Sequence, residues 1–129
     1  MEASVSVEKD NNSFLFRREE RLKGRNVIKE VFDKGKRYNC RGAKLFMLKN
    51  SLPHNRICFT FSRGFGKAVK RNRARRLGRE AYRSLKPRMN CGYDMILLVY
   101  PEDTGSTLST FAGRAQQLKI LLARAGLLQ

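Results

Sequence analysis

Histidine, cysteine and acidic side chains are all scarce in this chain. Of its 129 residues one is His, three are Cys and 11 are Asp or Glu. The cysteines, at 40, 58 and 91, are odd in number and none has CxxC spacing. With only His54 to join them they support neither a zinc site nor a disulfide framework, and reduced thiols are expected. Cys58 lies in an apolar run and reads as a small core residue. No clustered carboxylates and no nucleophile motif are present, so a self-sufficient nuclease centre is not supported. Asp94 and Glu102 bracket one apolar run and read as isolated turn and cap residues. No stretch approaches the ~20 apolar residues needed to span a bilayer. The opening MEASVSVEKDNNS lacks the apolar core of a signal peptide, so cytoplasmic residence is expected.

What the chain has instead is positive charge. There are 28 Lys and Arg residues, a formal net charge of +17 and a pI near 10.7. A compact domain with this much like charge repels itself, and the usual compensation is a polyanionic partner, most often nucleic acid. The length fits one domain, and 41% hydrophobic content is enough for a real core.

Residues 1–13 are small and polar without periodicity and read as a mobile tail, leaving 14–129 as a single domain. Val27, Ile28, Val31 and Phe32 recur at helical spacing over Gly24–Lys34, with Gly35 as the stop. A short strand near Arg37–Arg41 is an option. Ala43–Lys49 is an apolar run of strand length, and Asn50, Ser51, Pro53 and Asn55 mark a turn. In Arg56–Ser62, Ile57, Phe59 and Phe61 alternate with Cys58, Thr60 and Ser62, the period of a half-buried strand. These two runs are expected to form a hairpin. A helix follows from Lys67 to Leu85, ended by Pro87. Asp94–Val99 is almost continuously apolar, as in a strand covered on both faces. Pro101–Gly105 reads as a loop. The last helix is expected over Thr107–Ala125, with Leu108, Phe111, Ala115, Leu118 and Leu122 along its packed stripe. The order of elements implies a small αβ sandwich, a sheet with helices against it.

The helix at 67–86 carries the functional signal. At 100° per residue Ala74, Leu77, Gly78, Ala81 and Leu85 share a narrow apolar face. Asn72, Arg76, Arg79 and Arg83 lie opposite, with Arg75 and Arg73 near the two edges. From Arg63 to Lys86 there are ten basic residues and one acid, Glu80, which concentrates over half of the net charge in this segment. Like charges at i, i+3 and i+4 destabilise an isolated helix, and the sequence shows no intramolecular relief for them. The planar guanidinium bonds phosphate oxygens in pairs and stacks on bases. Asn72 among the arginines both donates and accepts, which suits a sugar, a base edge or a metal-bound water.

The run FGKAVKRNRARRLGREAYR resembles the Arg-Asn-Arg signature of the bacterial ribonuclease P protein family. Upstream FTFSR and IKEVFDKG, and downstream YDMILLVYP, resemble its central strand, first helix and last strand, so residues 15–125 are covered in order. The resemblance implies an α+β fold, a sandwich of the ribosomal protein S5 domain 2 type with a mostly antiparallel central sheet and a left-handed βαβ crossover. It implies a ribonucleoprotein in which a large RNA removes the 5′ leader of precursor tRNA, using Mg2+ held mainly by that RNA. The protein then binds the ribonuclease P RNA and the precursor tRNA, with no membrane and no small-molecule substrate, and with neither a catalytic nor a metal-ligating residue of its own. Carried onto this chain, the RNA-facing set is Arg71, Asn72, Arg73, Arg75, Arg76 and Arg79, helped by Lys67 and Lys70. The leader cleft would comprise Ile28, Phe32, Phe46, Ser62 and Arg63, with Phe32 available to stack on a base. Three positions depart from the family pattern: Ile28 replaces a common aromatic, Gly64 stands where a second basic residue often follows Arg63, and Val99-Tyr100 replace a basic residue before Pro101.

Charge and size alone suit a ribosomal or ribosome-assembly protein equally well, and the Arg-Asn-Arg signature separates the two. A DNA regulator reading a major groove would need mixed polar groups aimed at base edges, whereas this helix offers almost only phosphate-seeking ones.

Overall fold

The computed structural model describes residues 16–101 and 110–129. The expected tail at 1–13, and most of the Pro101–Gly105 loop, lie outside them. After a 3-10 turn at Arg18–Glu20 come helix α1 (Arg25–Lys34) and strands β1 (Lys36–Cys40), β2 (Ala43–Lys49) and β3 (Arg56–Phe61). Helix α2 (Ala68–Leu85), a 3-10 turn at Lys86–Arg88, strand β4 (Tyr93–Val99) and helix α3 (Phe111–Arg124) complete the chain. The short strand suggested near Arg37–Arg41 is therefore real.

The four strands form one sheet in the order β1-β2-β4-β3. β1 and β2 pair antiparallel, as do β2 and β4, while β3 runs parallel to β4 and is joined to it through α2. This is the mixed α+β sandwich with a βαβ crossover that the resemblance implied.

The expected hairpin of Ala43–Lys49 with Arg56–Ser62 does not form. β4 stands between the two strands, and the actual hairpin is β1–β2, turning at Arg41–Gly42. Alternation identifies a strand but not its neighbour. The 50–55 loop instead steps across the start of β4 and is pinned there. Asn50 N–H donates to Gly92 O at 2.9 Å, and the Asn55 amide donates to Asn90 O and accepts from Tyr93 N–H at 2.8 and 2.9 Å.

As its apolar run implied, β4 is covered on both faces. Met95, Leu97 and Val99 join Leu45, Met47, Ile57 and Phe59 in the main core beneath α2 and α3. Ile96 and Phe46 face the other way, with Val31 and Leu22, beneath α1. The stripe of α3 is corrected in one place: Leu118, Leu121 and Leu122 are buried, but Phe111 is 44% exposed. It stands in the first turn, after the Thr110 cap whose hydroxyl accepts from Gly113 N–H. Thr107 and Leu108 lie outside the described residues.

Candidate nucleic-acid interface

α2 approaches the sheet through its small residues. Ala74, Gly78 and Ala81 are buried, and so are Tyr82 and Leu85. Tyr82, completely buried, is the largest residue in the core and escaped the helical projection. Leu77, assigned to the apolar face, is only half-buried. Gly78 lets the helix sit directly on the Phe59 ring, since a Cβ there would lie 2.9 Å from two of its atoms. Burial drives the Tyr82 hydroxyl far above the ordinary tyrosine range, with the Glu20 charge adding to it.

The opposite side of α2 is the guanidinium ridge. Lys67, Lys70, Arg71, Asn72, Arg73 and Arg76 are exposed. Arg75 and Arg79, placed at the edge and on the polar face, are half-buried because each leans on an aromatic ring. Arg75 lies over Phe61 at 5.3 Å, Arg79 over Phe16 at 5.6 Å and Lys70 over Phe65 at 5.9 Å. Arg75 also donates to the Asn72 side-chain oxygen at 2.9 Å, and Arg71 to Gly66 O at 2.8 Å. No carboxylate among the described residues comes within ion-pair distance of a Lys or Arg of α2. Burial first, and then the Arg21 and Arg75 charges, lower the Arg79 pKa. A concave strip along Asn72, Arg75, Arg76, Arg79 and Arg83, with Glu80 its one acid, has a volume of about 510 Å³.

The five residues assigned to the leader cleft divide into two groups. Phe32 meets Phe46 edge-on, with centroids 4.8 Å apart, and Ile28 is half-buried in the same cluster. Phe46 itself is only 6% exposed, so Phe32 and Ile28 present the accessible apolar surface. Ser62 and Arg63 lie just past the end of β3, lining a second recess with Arg71 and Arg75. The Arg37 guanidinium covers the Phe46 ring at 5.5 Å and was missed from the sequence, as were Phe16, Arg21, Phe61 and Phe65. Fold topology rather than local spacing brings them to the site.

The two buried carboxylates among the described residues are already engaged. Asp94 accepts a two-pronged bond from Arg56 at 2.7 and 2.6 Å and a third from Asn50 at 2.8 Å. Glu20 accepts from Lys86. No group of three His, Cys, Asp or Glu side chains suited to a metal occurs among the described residues. The three thiols are free. Among the described residues no helix is long and apolar enough to cross a membrane.

The family model for ribonuclease P matches residues 16–126, which take in the ridge, both recesses and all four strands. The chain belongs to the ribonuclease P protein family. A ribonuclease P protein component from Natranaerobius thermophilus is 44% identical over 77 residues, 60% of this chain and 67% of that one. One from Clostridioides difficile is 31% identical over 110 residues, 84% and 94% of the two chains. The solved ribonuclease P protein of Thermotoga maritima superposes with a TM-score of 0.69 at 28% identity, covering 81% of this chain and 96% of that one. The Staphylococcus aureus protein gives 0.71 at 21% identity, covering 85% and 98%, which speaks for the fold alone. Members of this family are the protein subunit of an endoribonuclease ribonucleoprotein that processes tRNA and pair with the ribonuclease P RNA. The ribosomal alternative is not favoured.

Proposed function

We propose that α2 docks on the ribonuclease P RNA through Arg71, Asn72, Arg73, Arg75, Arg76 and Arg79, assisted by Lys67 and Lys70. The 5′ leader of precursor tRNA runs past Ile28, Phe32 and Phe46 and on toward Ser62 and Arg63. The observation that carries this reading is a ridge of cations with no ion-pair partner among the described acids. Burying Ala74, Gly78 and Ala81 holds that ridge outward at a fixed height above β3. Charge-assisted bonds from guanidinium to phosphate then supply the missing counter-charge.

The leader surface works differently. Phe32 and Ile28 offer flat or apolar contact, and Arg37 and Arg63 offer phosphate partners at either side. With Ile28 in place of an aromatic, stacking falls mainly on Phe32. The chain's contribution is to hold RNA, not to break bonds. On this reading the Mg2+ ions and the hydrolytic step belong to the RNA.

The test is a titration of the full chain against ribonuclease P RNA over a range of salt. Arg73→Ala and Arg76→Ala should each flatten the log Kd against log salt slope by about one unit. An unchanged slope refutes the docking surface. For the leader, Phe32→Ala should weaken only leader-bearing substrates in the reconstituted complex, and equal loss with leaderless tRNA refutes that assignment.

A further inference from the structure

The segment ahead of α1 is fastened along the outer edge of β3. Arg21 bridges Ile57 in parallel, and Leu22 N–H donates to Ile57 O at 3.0 Å. Buried Glu20 accepts from Lys86 at 2.7 Å and from Arg17 N–H at 2.8 Å. These ties set Phe16 against α2, its ring edge-on to Tyr82 with centroids 5.7 Å apart.

Two guanidiniums lie against the Phe16 ring, Arg21 at 5.7 Å and Arg79 at 5.6 Å. With Arg75 they line a recess of about 150 Å³. No carboxylate among the described residues lines it, and the nearby Glu19 and Glu20 are engaged by Arg17 and Lys86. Arg79 Nε is buried there without a hydrogen-bond partner. Three like charges converge on one recess, and burial first, then the Arg21 and Arg75 charges, depress the Arg79 pKa. A cation–π contact orients a guanidinium but leaves its charge uncompensated. The group that fits is an anion whose oxygens accept from several guanidiniums at once.

We propose that Arg21 and Arg79, stacked on the Phe16 ring, form with the neighbouring Arg75 a phosphate site that takes one phosphodiester of an RNA strand passing along α2 beside the segment ahead of α1. The proposal rests on the reading of α2 as an RNA-binding helix and adds to it a residue from outside that helix. Arg21 supplies a donor, and Phe16 is a positioning residue that acts through Arg21 and Arg79.

The experiment uses the full chain with ribonuclease P RNA alone, and separately the reconstituted complex with precursor tRNA. The arm that responds identifies which strand supplies the phosphate. Arg21 is exposed, so Arg21→Ala should fold normally. It should weaken RNA affinity about tenfold, as loss of a charge-assisted bond does, and lower the salt slope by about 0.7–0.9. Phe16→Leu keeps the apolar contact and all the charges. It should lower affinity at a nearly parental slope, and Arg79→Ala should cost less in its background than alone. If Arg21→Ala leaves affinity and slope unchanged in both arms while Arg73→Ala and Arg76→Ala weaken binding, the phosphate site is overturned and the helix reading stands. If none of these variants changes binding, the helix reading falls as well.

Discussion

Gly78→Ala reverses an ordinary expectation. Glycine inside a helix is about 1 kcal/mol worse than alanine, so the substitution should stabilise. Here the added methyl would lie 2.9 Å from both Cδ1 and Cε1 of Phe59 and 3.5 Å from its Cζ. These atoms belong to a ring that is 7% exposed within the main core. For the methyl to fit, the ring must turn, α2 must rise or the core around Phe59 must repack. Inserting a methyl into a packed core costs about 1–3 kcal/mol. Set against the helix gain, the net loss is about 0–2 kcal/mol, or about 3–5 °C in Tm for each kcal/mol at this chain length.

The assay is urea unfolding of the full chain, read as a lower midpoint at constant m. A variant more stable than the parent by the full helix gain of about 1 kcal/mol refutes the steric argument. Phe59→Leu supplies the cross-check, since in that background Gly78→Ala should become neutral or favourable. RNA affinity should fall with stability, because lifting α2 draws Arg75 and Arg79 away from Phe61 and Phe16.

Lys86→Met leaves the buried Glu20 carboxylate with only the Arg17 N–H and should cost about 2–3 kcal/mol in a urea midpoint at neutral pH, less than a wholly buried pair because Lys86 is partly exposed. No change there would mean that the tie contributes nothing to holding the N-terminal segment. In alkali, the Tyr82 hydroxyl stays neutral in the folded state while the unfolded chain ionises near pH ~10. Its contribution is fully present below that pH and declines above it by up to about 1.4 kcal/mol per unit. Tyr82→Phe should remove that part of the decline, and parallel curves for parent and variant between about pH 9 and 11 refute it. Phe111→Ser should cost about 1 kcal/mol, well below the ~3–5 kcal/mol of truncating a packed core aromatic, since the residue is 44% exposed. A loss of several times that would restore Phe111 to the packed stripe.

Local pattern reached the elements more easily than their arrangement. Val27 to Phe32, the alternation of Ile57 to Phe61 and the apolar run to Val99 each declare an element through periodicity. The position of β4 between β2 and β3 is a nonlocal fact, and no turn signal at 50–55 encodes it. The site divides similarly. The exposed ridge from Lys70 to Arg76 follows from helical projection, because it needs only one element. The half-burial of Arg75 and Arg79 does not, because Phe61 and Phe16 come from a strand and from the segment ahead of α1. Tyr82 escaped for the same reason: whether the edge of a stripe is buried depends on what packs beside it.

Those rings divide the basic side chains of α2 into two kinds. Lys70, Arg75 and Arg79 lie on Phe65, Phe61 and Phe16, and Arg71 is held by Gly66 O. Arg73 and Arg76 have no such support. An ordered side chain loses less conformational freedom on binding, a difference of about 0.5–1.5 kcal/mol for each immobilised group. The salt slope counts charges and is blind to this. Affinity at a fixed salt concentration registers both charge and order. Removing a charge from Arg73 should therefore move slope and affinity together, whereas Phe61→Leu, which takes the ring from beneath Arg75 and leaves every charge in place, should weaken binding at a constant slope. If the Phe61→Leu slope falls as far as the Arg73→Ala slope, the ring was not ordering the arginine, and the ridge acts as undirected positive charge.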